Sequence, residues 1–272
     1  MTAETDAPDP TSSLLAFFGS ELRRVRTAAG LSQEQCAKRA HTTQAMISYV
    51  EAARRVPSED LARDLDVAFG TDGHFGRLHP LVIRFAYPSW FLPYVEMERE
   101  ATSIRSFQAQ VIPGLLQTEE YARAVLASVR PDCLNDLVAA RMSRQALFER
   151  DSPPKAWFVM DEYALTRPFV GPAATGRQLE HLLQAGESPR TVVQVVPRDA
   201  PPHPGLAGPF TLLSFDTGAD VLHVDGFSQG WMALEAAQVN AAAHSYDLIR
   251  ATALSPKASA DLIQARLKEL DT

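Results

Sequence analysis

Between Glu21 and Val67 the sequence carries closely spaced residues that typically end one helix or begin the next. Gly30 is a typical residue just beyond a helix C-terminus, which predicts a first helix over about 20–29. Three later helices are marked by N-cap residues that can accept a hydrogen bond from the first turn: Ser32 (with Gln35 completing a capping box), Thr43 and Ser58. Such frequent boundaries predict a bundle of short helices.

The residues of the second and third helices predict which faces are buried. Ala37 is small enough to let the two helices approach each other, and Ile47 and Val50 lie three residues apart on one face of the third helix. The opposite, outward face then carries Gln44, Ala45, Ser48 and Tyr49. A helix with a polar outward face near its N-terminus suits the major groove of DNA.

Individual side chains on this segment fit roles in DNA recognition. Gln44 can pair with adenine through two hydrogen bonds, and Ala45 can contact a thymine methyl group. Gln33, at the start of the second helix, is expected to contact phosphate, and Arg54 and Arg55 to contact the backbone. The predicted DNA-binding residues are Gln33, Thr43, Gln44, Ala45, Ser48, Tyr49, Arg54 and Arg55.

The net charge of −7 does not exclude a nucleic-acid partner, because the acidic residues are concentrated elsewhere. Residues 14–67 carry eight basic and seven acidic side chains, whereas residues 68–272 carry 18 basic and 23 acidic ones. For a modular DNA-binding protein the local patch matters more than the global charge.

The phrases LSQEQCAKRA, TTQAMISYVE and RRVPS resemble the Xre/Cro/phage-repressor type of helix-turn-helix. The resemblance implies a five-helix bundle that acts as a homodimer on a pseudo-palindromic site in double-stranded DNA. Two positions depart from the family pattern, which usually has glycine where this chain has His41 and Ala53. A left-handed backbone at His41 would cost a non-glycine residue about 1 kcal/mol or more. These departures leave open a degenerate bundle that no longer binds DNA and serves as a protein-interaction module.

Composition shifts divide the chain into four parts. We expect a disordered tail over 1–13, the helix-turn-helix domain over 14–72, a glycine-containing linker over 73–88 and a larger α+β domain over 89–272. In that last domain, helices are predicted over 89–108, a segment after Thr118, 134–150, 175–185, 230–252 and 257–270, and strands over 157–160, 191–196, 210–215 and 221–224.

Several phrases of the second domain, beginning with QVIPGLLQTEEYARA at residue 110 and ending with ATALSPKAS at residue 251, resemble a known effector domain. It is the domain that follows Xre-type modules in actinobacterial antitoxin-like transcriptional regulators. The resemblance implies a partner, a small protein encoded by a neighbouring gene, and supplies no catalytic residues and no cofactor.

Candidate sites in the second domain are few. Leu115 and Leu116 are interpreted as core, with a partner or ligand surface as the alternative. Asp161 and Glu162, at a predicted strand end, could hold an arginine of the same domain or a ligand. Arg141, Arg144 and Gln145 are interpreted as a solvated helix face. His223 and Asp225 share one face of a predicted strand, where they could be two metal ligands, but a third ligand is lacking.

Other functional classes find little support. Cys36 and Cys133 form no metal-binding pair, and no apolar run is long enough for a membrane span. The N-terminus shows no export signal, so a cytoplasmic location is expected. Because no G-x-S-x-G, P-loop or G-x-G-x-x-G motif occurs, we expect no enzyme, although an enzyme carrying a DNA-binding module is an alternative. The leading hypothesis is a sequence-specific transcriptional regulator whose second domain binds a small protein or a ligand.

Overall fold

The computed structural model describes residues 8–226 and 229–270, and it divides into two compact units. The first unit contains the chain up to Ser89 together with Val129–Ser143. The second contains Trp90–Ser128 and the chain from Arg144 onwards. A helical N-terminal region followed by a larger domain of helices and strands confirms the predicted fold class.

The helices of the described residues are numbered in chain order. They are α1 (Leu14–Ala28), α2 (Gln33–Arg39), α3 (Gln44–Glu51), α4 (Glu59–Phe69), α5 (His74–Ala86), α6 (Leu92–Glu100), α7 (Glu119–Ala127), α8 (Leu134–Ser143), α9 (Tyr163–Thr166), α10 (Pro172–Glu187), α11 (Ala236–Thr252) and α12 (Pro256–Glu269). The first unit is built from α1–α5 and α8.

The three predicted N-caps of this unit are confirmed. The side-chain oxygens of Ser32, Thr43 and Ser58 accept hydrogen bonds from the first turns of α2, α3 and α4 at 3.1–3.2 Å. Ser32 also donates its backbone N–H to Gln35, which completes the capping box. The local sequence therefore sets the starts of these helices.

The first helix begins earlier than predicted. Ser13 caps α1, so the helix starts at Leu14 instead of near residue 20. The predicted tail over 1–13 therefore ends in an ordered capping residue, and Asp9 forms a turn with Thr11 and Ser12. Residues 1–7 of that predicted tail lie outside the described residues.

The interval 73–88, which the sequence predicts as a linker, contains helix α5 over most of its length. Gly73 precedes α5 with a left-handed backbone and offers no side-chain cap. Asp66 of α4 supplies the cap, because its carboxylate accepts the backbone N–H groups of Phe75 and Gly76 at 2.9 and 2.7 Å. Phe75, buried in the unit, then fixes α5 to the bundle.

Helix α1 packs closely against α3. Gly19 lies so near the end of α3 that a Cβ atom built on it would be 2.4 Å from the carbonyl oxygen of Val50. Real Cβ atoms do not approach a backbone oxygen this closely, so glycine is required at this contact. The close approach fixes the position of α3 in the bundle.

Helix α8 belongs to the first unit although it lies far along the chain. Ser143 accepts a hydrogen bond from the backbone N–H of Val56 at 2.7 Å, and the Tyr87 hydroxyl donates to the carbonyl of Ala140 at 2.9 Å. The predicted helix over 134–150 is thus an α-helix to Ser143 and a 3-10 helix beyond it. The all-helical unit is completed by a later segment of the chain.

The second unit contains a six-stranded mixed sheet with the order β3-β2-β1-β4-β5-β6. Its strands are β1 (Ser103–Gln108), β2 (Lys155–Asp161), β3 (Thr191–Val196), β4 (Phe210–Ser214), β5 (Val221–Val224) and β6 (Trp231–Ala233). The strands β1, β2 and β3 are parallel, and the remaining pairings are antiparallel. The strand β3 is therefore an edge of the sheet.

Four strands lie where the sequence predicts them, and two were missed. The predicted helix over 89–108 is wrong in its second half, because α6 ends at Glu100 and β1 follows. The predicted helix over 230–252 is likewise preceded by β6. The strand β1 pairs with β2 and β4, which lie far along the sequence. The strand β6 pairs with β5 in the last hairpin of the sheet.

The core of the second unit lies where α11 packs on the sheet. Phe107, Val159 and Leu212 come from three neighbouring strands, and Tyr246 and Ile249 come from α11. The Tyr246 hydroxyl, otherwise buried, donates to the carbonyl of Trp157 at 2.7 Å. None of the helices among the described residues combines the length and apolar character that a membrane span requires.

Candidate nucleic-acid interface

The inward and outward faces of α3 are those predicted from the sequence. Ile47 and Val50 are fully buried, and Ala37 of α2 is 2% exposed. Gln44 and Ala45 are exposed at the first turn of α3. Ser48 and Tyr49 are half-buried on the same outward side. The helix therefore presents its N-terminal polar side chains to solvent.

The side chain of Gln44 is held in place by α2. Its Nε2 donates to Oε1 of Gln33 at 2.9 Å, and Nε2 of Gln33 donates to Oε2 of Glu51 at 2.9 Å. Glu51 is fully buried in its side chain and binds Arg26 through both carboxylate oxygens at 2.5 and 2.9 Å. We call Arg26, Glu51, Gln33 and Gln44 the glutamine relay. It connects the core of the bundle to the exposed amide of Gln44.

The side chain of Gln33, which is expected from the sequence to contact phosphate, is bonded to other side chains of the bundle. Both polar atoms of its side-chain amide are engaged, one with Glu51 and the other with Gln44. Its backbone lies at the first position of α2, behind the Ser32 cap. The geometry makes the side chain a support for Gln44.

The two arginines after α3 lie against Tyr49. The guanidinium carbons of Arg54 and Arg55 are 5.5 and 4.8 Å from the centre of the Tyr49 ring, within the range of cation–π attraction. Arg54 is exposed and Arg55 is half-buried. Thr43 is exposed as well, and its hydroxyl oxygen accepts the backbone N–H of Met46. Two positively charged side chains thus lie in the turn directly after α3, against Tyr49 of its polar face.

His41 and Ala53 have the left-handed backbone conformation expected at the positions where the family carries glycine. Their φ angles are 49° and 53°. Each follows the C-cap of its helix, and the next residue donates back into the last turn: Thr42 N–H to Ala37 and Arg54 N–H to Tyr49. Both helix ends are therefore formed without glycine, at a cost in backbone energy.

Sequence reasoning missed two residues of this site. Glu51 is a buried carboxylate at the C-terminus of α3, and a charged residue at a position periodic with Ile47 and Val50 was the available signal. Ser143 binds the backbone of Val56, next to Arg55, and no local pattern links residues so far apart.

In the second unit, Asp161 and Glu162 have separate roles. Asp161 accepts the backbone N–H of Tyr163 at 2.9 Å. Glu162 is buried and binds Arg198 and Arg266 of its own unit, at 3.1 and 2.6 Å. Burial raises the pKa of Glu162, but hydrogen bonds from the two arginines outweigh it and the pKa lies below its ordinary value. The geometry is that of a carboxylate holding arginines.

The solvated face expected for Arg144 is wrong. Arg144 is almost buried and binds Glu98 through two hydrogen bonds of 2.7 Å. Tyr94 donates its hydroxyl to Glu98 at 2.8 Å, and its ring packs on buried His223 with centroids 4.2 Å apart. Burial lowers the pKa of His223, against the opposing effect of Asp225.

His223 and Asp225 do not form part of a metal-ligand cluster. Their nearest Nδ1 and Oδ1 atoms are 3.7 Å apart, and within residues 8–226 and 229–270 no group of three metal-binding side chains comes together. Cys36 is buried in α2, where burial raises the pKa of its thiol to about 11, and Cys133 is exposed. Leu115 and Leu116 are buried, as the core interpretation requires.

Comparison with known families adds two matches. A model described as a helix-turn-helix domain matches residues 18–74, and one described as a domain of unknown function (DUF5753) matches residues 91–265. No curated protein and no solved structure matches the chain. The second match includes α8, so a helix of the first unit lies within the DUF5753 segment. Because that segment is more than half of the chain, the protein belongs to the DUF5753 family and carries a helix-turn-helix domain at its N-terminus.

Proposed function

We propose that the protein is a sequence-specific DNA-binding transcriptional regulator of the antitoxin-like type found in actinobacteria. In this proposal α3 enters the major groove and the second unit binds a small partner protein or a ligand. The single observation that carries the DNA-binding part is the exposed amide of Gln44, fixed by the glutamine relay at the first turn of α3. A base-reading side chain held in advance loses less freedom on binding.

The side chains of the first unit take distinct roles in this proposal. Gln44 reads a base edge, Ala45 contacts a neighbouring methyl group, and Ser48 and Tyr49 line the groove. Gln33 positions Gln44 and reaches the DNA backbone through its place at the start of α2. Thr43, Arg54 and Arg55 bind phosphates.

A homodimer in the cytoplasm is part of the same proposal. One short bundle reads too few base pairs to find a site in a genome, and two copies related by a two-fold axis read two half-sites. The pseudo-palindrome in the operator would mirror that axis.

The alternative, an interaction module that has lost DNA binding, rests on the missing glycines at His41 and Ala53. Both residues adopt the left-handed conformation, and α2 and α3 keep their caps and their buried faces. An intact pair of helices supports the DNA-binding proposal over this alternative.

The test begins with an operator selected by the full-length protein from a pool of random double-stranded DNA. Fluorescence anisotropy then compares Gln44→Ala with Gln238→Ala, an exposed glutamine in the second unit that serves as the matched control. We expect Gln44→Ala to weaken operator binding by about 1–3 kcal/mol and to relax the preference at one base pair. The control should bind as the wild type does.

A second variant separates base contacts from phosphate contacts. Arg54→Ala should weaken binding to all sequences and reduce the dependence of affinity on salt by roughly one phosphate contact. Failure to enrich any sequence, or operator binding unchanged in both Gln44→Ala and Arg54→Ala, would contradict the assignment of α3. Co-purification with the product of the neighbouring gene tests the partner-binding half.

A further inference from the structure

A groove of about 730 Å³ lies in the second unit beside the edge strand β3. Its two walls are α10 and α12, which contribute Leu182, Leu183, Ile263 and Leu267. Val193 of β3 lies at its floor. We call this feature the β3 groove. Its volume is in the range of sites that hold a small ligand or a short peptide, about 300–1,000 Å³.

The register of the sheet shows which backbone groups of β3 face the groove. The N–H of Ala156 donates to the carbonyl of Arg190, and the N–H of Glu162 donates to that of Val196. In a parallel pair, alternate residues bond to the neighbouring strand, so residues 190, 192, 194 and 196 face β2. Thr191, Val193 and Val195 therefore direct their backbone groups to the outer edge.

Only part of this outer edge is hydrogen-bonded. The N–H of Thr191 donates to the carbonyl of Ser188 at 3.1 Å. The N–H of Val195 donates to Ser259 at 3.0 Å, and its carbonyl accepts from Leu254 at 2.9 Å. Within the described part of the chain, no hydrogen bond reaches the N–H or the carbonyl of Val193. A donor and an acceptor on the same residue of an edge strand form the pairing unit that an extended chain uses when it adds to a sheet.

The charged residues that line the groove are both acidic. Glu180 and Glu187 are exposed side chains of α10 at its rim, and the lining contains no lysine or arginine. Opposite charge across an interface favours association and excludes partners of like charge. The groove thus combines an apolar interior, an unpaired backbone donor and acceptor on Val193, and a negative rim.

We propose that the β3 groove binds an extended peptide segment of a partner protein, in which apolar residues alternate with lysine or arginine. The peptide main chain pairs with the N–H and carbonyl of Val193 and adds a short strand to the sheet. Its apolar side chains lie between α10 and α12, and its basic side chain meets Glu180 and Glu187. This inference deepens the partner-binding half of the proposed function and rests on it.

Two other occupants fit less well. The chain's own N-terminal segment, residues 1–13, carries Glu4, Asp6 and Asp9 and no basic residue, so the rim would repel it. A second copy that paired through the same edge would bring two acidic rims together. A basic segment of a different protein is the occupant that the charges favour.

The experiment selects heptapeptides from a phage-displayed random library on immobilised full-length protein. We expect the enriched sequences to alternate apolar and basic residues. The best peptide, made with a fluorescent label, is then titrated with the wild type and with the double variant Glu180→Lys, Glu187→Lys. Reversal of the two rim charges should weaken binding by about tenfold or more. Glu235→Lys, an equal charge change per site at an exposed position outside the groove, should leave binding unchanged.

A peptide N-methylated at its central residue tests the main-chain pairing without altering the protein, and it should bind at least about tenfold more weakly. Four outcomes would overturn the proposal: no enriched sequence, enriched sequences without basic residues, binding unchanged in the double variant, or binding unchanged by N-methylation. A concentration-dependent dimer that the double variant abolishes would also overturn it, in favour of a second copy. Gln44→Ala should keep full peptide binding, so the failure of this proposal and the failure of DNA binding are measured separately.

Discussion

Glu51, at the last position of α3, binds the guanidinium of Arg26 in α1 through both of its carboxylate oxygens, and neither side chain is more than 12% exposed. The same carboxylate accepts an amide hydrogen from Gln33. The ion pair that joins the two helices therefore also fixes the side chain that supports Gln44.

Glu51→Gln is expected to destabilise the first unit strongly. It leaves the charge of Arg26 buried without its partner, which costs about 3–5 kcal/mol in the free energy of unfolding. Chemical denaturation measures this loss, and anisotropy with the selected operator should show weaker DNA binding as the glutamine relay breaks. Glu34→Gln, in an exposed pair with Lys38, is the matched control and should change stability by less than about 1 kcal/mol. Equal effects of the two variants would contradict the role given to Glu51.

Glycine at His41 or Ala53 should stabilise the protein. Both residues have positive φ angles, which favour glycine, although glycine also increases the entropy of the unfolded chain. We expect a net gain of about 0.5–1 kcal/mol for each, seen as a rise in melting temperature of the order of 1–4 °C. Ala52→Gly, at the adjacent position with a φ of −91°, should lower the melting temperature. If the first two variants also lower it, the left-handed assignment is wrong.

The Asp66 cap predicts a pH dependence of stability. Partial burial raises the pKa of Asp66, but hydrogen bonds from Thr71, Gly76 and Phe75 outweigh it, and the pKa lies below its ordinary value of 3.8. A lowered pKa in the folded state means that the stabilisation is complete above the unfolded-state pKa and is lost as the pH falls through the folded-state pKa.

Asp66→Ala should therefore lower the free energy of unfolding by about 1–2 kcal/mol near neutral pH. The difference between wild type and variant should shrink progressively below about pH 4. Urea denaturation at about pH 7 and about pH 3 measures both values. A difference that stays constant over this range would exclude the ionised carboxylate as the source of the effect.

Ser143→Ala should weaken DNA binding although Ser143 is not among the residues proposed to contact DNA. The change removes the acceptor for the backbone N–H of Val56, and an unpaired buried N–H costs about 1–3 kcal/mol. Because Val56 directly follows Arg55, we expect a lower melting temperature together with a reduced affinity for all DNA sequences. Ser128→Ala removes an exposed hydroxyl whose hydrogen bond, to the carbonyl of Val125, stays within one helical turn, and it should leave both measurements unchanged. If Ser143→Ala binds DNA with normal affinity, α8 has no part in positioning the arginines that follow α3.

Local hydrogen bonding explains what could be predicted from the sequence. Ser32, Thr43 and Ser58 act within three residues of themselves, so the starts of α2, α3 and α4 are readable from short patterns. Ile47 and Val50 define a buried face through helix periodicity alone. The exposed face of α3 follows from the same pattern.

Distant partners explain what could not be predicted. Asp66 caps α5 from another helix, so the glycines and Pro80 in that segment indicated a linker when a helix forms. The strand β1 exists because β2 and β4 pair with it. Arg144 looked solvated because its partner Glu98 precedes it by 46 residues.

The position of α8 has a consequence for how such regulators diversify. The DUF5753 segment over 91–265 encodes one helix of the first unit, which also contains the helix-turn-helix domain. A gene fusion that exchanged this segment between two members of the family would also replace the Ser143 hydroxyl, which accepts the hydrogen bond of Val56 in the turn after α3. Because α8 packs in the first unit, the helix-turn-helix domain and α8 should be inherited together. Successful chimaeras should be those whose junctions keep α8 with its original bundle.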